Sequence, residues 1–133
     1  MEALPLRLSP GEDLRAALEA AVADCGCGAA FVLGGIGSLG RTRLRLAGAA
    51  QPLALDGDVE ILTLSGSVSP GGSHLHMSVA DAAGRVLGGH VAPGCIVRTT
   101  AEVLLALLPH WRFTREADPA TGYAELVVRR APD

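Results

Sequence analysis

The chain has 133 residues, of which 49% are apolar, 19% charged and 3% aromatic, a composition that suits one compact domain over 1–133 and excludes an intrinsically disordered chain. No stretch approaches the ~18 uninterrupted apolar residues of a membrane helix, so no membrane association is expected. Eleven Arg, no Lys and 14 acidic residues leave a formal charge of -3, which argues against a domain whose affinity rests on neutralising phosphates.

Leu4, Leu6 and Leu8 alternate with Pro5 and Arg7, the period of a half-buried strand. Ser9-Pro10-Gly11-Glu12 then reads as a helix start, with Ser9 as cap, Pro10 at the first turn and Glu12 closing a capping box. Leu14, Ala17, Leu18, Ala21 and Val22 form one apolar helical stripe, and Gly26 or Gly28 supplies the stop. Ala29 to Gly37 is an apolar strand ending at Gly34-Gly35-Ile36-Gly37; lacking a following Gly-Lys-Ser/Thr and helix, it is no phosphate loop.

Ser38 to Leu46 alternates as a further strand, with Arg41, Arg43 and Arg45 on one face and Thr42, Leu44 and Leu46 on the other. Those arginines are candidates for contact with an anion or nucleic acid, although a solvated strand face explains them as well. Gln51 to Asp58 reads as a turn region. Val59 to Val68 reads as a central strand with apolar residues on both faces. His74 to Ala80 is the next strand, Asp81 to Gly84 a hairpin loop, and Arg85 to Gly89 the return, with a glycine pair that permits close backbone approach. From Cys95 to Leu108 strand and helix patterns compete. Trp111 to Thr114 and Tyr123 to Arg129 form a closing hairpin. These elements describe an α+β domain: a largely antiparallel sheet packed with helices.

The histidines carry the sharpest chemical signal. His74-x-His76 on a strand puts two imidazoles on one face, and the returning strand brings His90 near them. Three neutral imidazoles converging on a point make an open zinc site, with Glu60 on the preceding strand as a possible fourth or supporting ligand. Paired histidines also occur without any metal. Ser73 and Ser78 flank them but lie in no Gly-x-Ser-x-Gly elbow, and His110 reads as a structural or surface residue. Cys25, Cys27 and Cys95 form no metal-type pairing. With no basic start and apolar run in Met1 to Pro10, they are expected to be reduced thiols of a cytoplasmic protein.

Several longer segments resemble the plants-and-prokaryotes-conserved (PPC) domain. They are Asp56 to Ser67, containing Glu60-Ile61-Leu62, then Gly72 to Asp81, Gly84 to Val91, Gly94 to Val97, Thr100 to Val103, and the opening Leu6-Arg-Leu-Ser-Pro-Gly-Glu-Asp-Leu14. The resemblance implies a PPC-like fold assembled as a homotrimer, which would bury the apolar surplus between subunits. Plant members pair this domain with an AT-hook, which this sequence lacks, and Asp58-Val59 stands where the family has Arg-Phe. Single-domain prokaryotic members are often called DNA-binding by analogy. In others, the equivalents of His74, His76 and His90 hold zinc. The resemblance therefore implies a trimeric binding or regulatory module with a DNA or protein partner; a zinc-dependent hydrolase acting on a small molecule is the alternative.

Overall fold

The protein is described over residues 1–132 by a computed structural model. Eight strands and one helix follow in the order β1 (Glu2–Leu8), α1 (Leu14–Asp24), β2 (Ala30–Arg45), β3 (Leu53–Val68), β4 (His74–Ala80), β5 (Val86–Val91), β6 (Ile96–Leu107), β7 (Trp111–Ala117) and β8 (Ala124–Arg130). Six of the strands form an antiparallel sheet ordered β1-β6-β2-β3-β4-β5, and β7 and β8 form a separate hairpin. The end of β2 also pairs with β5, Leu44 opposite Val91 and Arg45 opposite His90, which closes β2, β3, β4 and β5 into a ring. The fold is thus mostly antiparallel sheet with one short helix among the described residues, rather than a sheet packed with several helices. The Cys95–Leu108 ambiguity resolves as strand: β6 is held between β1 and β2, and its Val97, Ala101, Val103 and Leu105 are buried.

Helix α1 begins later than Ser9-Pro10 suggests. Its cap is Asp13, whose Oδ1 accepts the Ala16 N–H at 3.0 Å. Glu12 does reach back to the Ser9 N–H at 2.6 Å, but that bond closes the turn before the helix. Leu14, Leu18 and Val22 point into the core, and Gly26 ends the helical segment at φ +63°.

The glycine run 34–37 does not end a strand, and Gln51 to Asp58 is mostly not a turn; β2 and β3 are each continuous over 16 residues. Bulges absorb the irregularity. On β3, Leu62 is an extra residue between the Ile61–Val79 and Thr63–Ser78 pairs with β4. The burial pattern changes phase there, so Val59 and Ile61 before it and Leu64 and Val68 after it all enter one core. The strand is central, but its apparent second apolar face is largely this change of phase. Leu62 itself remains outside, 46% exposed.

The hairpin packs back on the sheet through Phe113, which is buried edge-on against Phe31 and whose N–H bonds the Gly28 carbonyl at 3.1 Å. Among the described residues no helix is long and apolar enough to cross a membrane.

Candidate metal centre

The histidine cluster follows from strand register. His74 and His76 are two residues apart on β4, so both side chains leave the same face of the sheet. Asp81 tightens the β4–β5 turn by accepting the Ala83 and Arg85 N–H groups, each at 2.9 Å. That turn places His90 directly opposite His76. The glycine pair serves the predicted close approach: a Cβ on Gly89 would lie 2.9 Å from the Arg45 carbonyl oxygen, so a side chain there would push β2 away.

Three ring nitrogens meet as a result. His74 Nε2 lies 3.1 Å from His76 Nε2 and 3.2 Å from His90 Nδ1, and His76 Nε2 lies 3.1 Å from His90 Nδ1. Each nitrogen offers one in-plane lone pair or one N–H, so mutual hydrogen bonding cannot satisfy all three at once. A cation at their common focus uses every lone pair. His74 Nε2, His76 Nε2 and His90 Nδ1 would be the atoms that hold it. These residues therefore fit a divalent metal, bound with the remaining proton on Nδ1 of His74 and His76 and on Nε2 of His90.

The surroundings of His74 and His90 favour the neutral imidazole. The His74 pKa is lowered chiefly by burial, then by His76 and Arg115, against a smaller opposing effect from Glu125. The His90 pKa is lowered by burial first and by Arg45 next. Neutral rings are the form that ligates.

Glu60 is not brought to this cluster. It pairs with Ala80, four residues along β4 from His76 or ~13 Å at strand rise. The three arginines of β2 share a face, and Thr42 and Leu44 opposite them are buried as predicted. The third residue of that face, Leu46, lies past the end of β2 and is exposed. The arginines do not act as one ladder, however: Arg43 Nη1 is bound to Asp56 at 2.9 Å and to the Thr42 carbonyl, while Arg45 lines the cleft at the histidines. Cys27 and Cys95 are buried and bond the Ala29 and Arg43 carbonyls, Cys25 is exposed, and none joins the cluster. His110 is exposed and apart from it.

Sequence reasoning missed three neighbours of the site. Arg115 and Glu125, from the β7–β8 hairpin, line the cleft with His74, and Arg115 Nη2 donates to Ser67 Oγ at 3.0 Å. The third is Gly66, with φ +133°, which lies opposite Leu75 with the β4 backbone filling the space a Cβ would need. A glycine inside an apolar strand was a visible signal for it. The hairpin residues gave no local signal, because nothing in their own segment specifies how it docks.

Strands closed around a core, with three convergent imidazoles on the outer face of one hairpin, define a small β-rich domain with a metal-type site. The model of the Plants and Prokaryotes Conserved (PCC) domain matches residues 1–109, and the chain belongs to that family. It is similar to the bifunctional protein GlmU of Synechococcus sp. (strain JA-3-3Ab), with 49% identity over 129 residues covering 97% of this chain and 21% of that protein. The chain thus spans about a fifth of the length of the curated relatives it matches. Among solved structures, a hypothetical protein from Salmonella cholerae-suis superposes with a TM-score of 0.93 at 39% identity, covering 97% of this chain and 94% of that one. A metal-containing protein from Archaeoglobus fulgidus superposes at 0.82 with 25% identity, covering 96% and 94%.

Proposed function

We propose that this chain is a self-associating PCC-domain module that binds or regulates through a zinc ion held by His74 Nε2, His76 Nε2 and His90 Nδ1. The observation that carries the reading is the triangle of ring nitrogens 3.1–3.2 Å apart, a set of converging lone pairs that a shared cation would satisfy together. An all-imidazole set suits zinc, and it leaves a coordination position for a ligand. A structural relative described as metal-containing supports this, and the GlmU relative shows a similar segment as part of a longer bifunctional protein, which suits a module.

Self-association is supported by an outer apolar face. Leu33 and Ile36 of β2 are 58% and 57% exposed; Ile36 shares a shallow apolar face with Pro5 and Leu104, and pairing of Gly37 with Ile61 sets the exposed Leu62 beside it. Burying that face in a homotrimer accounts for the apolar surplus of the composition. Sedimentation should give three times the 13.6 kDa chain mass, and Ile36→Glu should reduce it. A monomeric wild type would contradict the assembly.

Glu125, on the same cleft as His74 and His76, favours a second reading as a zinc-dependent hydrolase. When bound, zinc supplies Lewis acidity, and Glu125 would be the nearby group able to hold a proton. Cobalt titration of metal-free protein tests the site common to both readings. Visible d–d absorption should saturate at one ion per chain; absence of any saturable band would refute the site.

A further inference from the structure

The cleft beside the histidines holds more positive charge than metal binding requires. Strand pairing sets Arg45 opposite His90 and His90 opposite His76, so Arg45 stands in the same cross-strand row as the ligands. Arg115 faces the cleft from β7, spending only Nη2 on Ser67. Neither arginine is among the ion pairs of the described residues, whereas Arg15, on the same wall, is paired with Glu19 at 3.0 Å. Ser73 Oγ is buried with no protein partner, and Ser73 also lines the cleft. A guanidinium presents paired N–H donors that match the two oxygens of a carboxylate or phosphate.

We propose that this cleft, between the end of β2 and the β7–β8 hairpin, binds small molecules bearing a carboxylate or phosphate group, gripped by Arg45 and Arg115 beside the metal-binding histidines. Its volume of about 620 Å³ lies within the range of small-molecule sites. Its concavity favours a small ligand over a nucleic acid backbone, which needs an extended basic surface. The inference rests on the metal-site reading only for what the ligand's other end meets.

The test is calorimetric titration of the full chain, zinc-loaded and metal-free, with inorganic phosphate and separately with succinate. At least one anion should bind the wild type, and the stronger of the two assigns the anionic group. Arg45→Gln and Arg115→Gln should each weaken binding about tenfold with zinc content unchanged. Failure of both anions to bind, or equal affinity in both variants, would overturn the proposal. So would displacement of the anion by a short DNA duplex. Arginine-dependent binding by protein that takes up no zinc would uphold this inference and overturn the metal reading alone.

Discussion

Gly66→Ala is the substitution that links backbone geometry to the metal centre most tightly. Gly66 sits at φ +133°, a conformation open to glycine and strained for alanine by ~1–3 kcal/mol. The space is also closed: a Cβ there would collide with the His74 carbonyl oxygen and come within 2.8 Å of the Leu75 Cα. Both obstacles are backbone of β4, so relief requires moving the strand, at about 1–3 kcal/mol for overpacking. Together they give a loss of about 4 kcal/mol, or ~10–20 °C in melting temperature for a chain of this size. Because β4 carries His74 and His76, metal affinity should fall with stability. Gly40→Ala is the control: its added Cβ would find nothing closer than 3.9 Å, and it should melt within a few degrees of wild type. Calorimetric melting with and without zinc reads both effects. A Gly66→Ala protein that melts with the wild type and binds zinc equally would refute the reasoning.

Two further outcomes can be checked in solution. Thiol titration of the native protein should find one fast group, Cys25, and all three only after unfolding, because Cys27 and Cys95 are buried and burial pushes the Cys95 thiol upward. The metal-free protein should lose stability as pH falls below about 6.5, since folded pKa values of His74 and His90 beneath the unfolded one mean the unfolded chain binds more protons there. That contribution is present above the unfolded pKa and is lost on acidification. His90→Ala should show a shallower decline in chemical denaturation across the same range.

Much of this architecture was legible in the chain. The His-x-His strand matches β4 from His74 to Ala80, and the two closing segments pair as the β7–β8 hairpin, because alternation and turn residues are local signals. The apolar stripe of α1 was equally plain, although its start was misplaced because Glu12 makes its capping-type bond one turn early. Two kinds of feature were hidden. Bulges shift the period by one, so Val59–Val68 read as apolar on both faces until Leu62 was recognised as the extra residue. Ring closure joins β2 to β5, and only that pairing reveals that Arg45 belongs with His90 rather than with Arg41 and Arg43. Long-range pairing of this kind leaves no mark in a local window.

Metal content of protein purified without a histidine tag tests the central claim most directly. Elemental analysis should find one zinc per chain in the wild type and almost none once His74, His76 and His90 are all changed to Ala, with the variant still folded by circular dichroism. Stoichiometric metal persisting in the triple variant, or a wild type that neither carries zinc nor takes it up, would contradict the account.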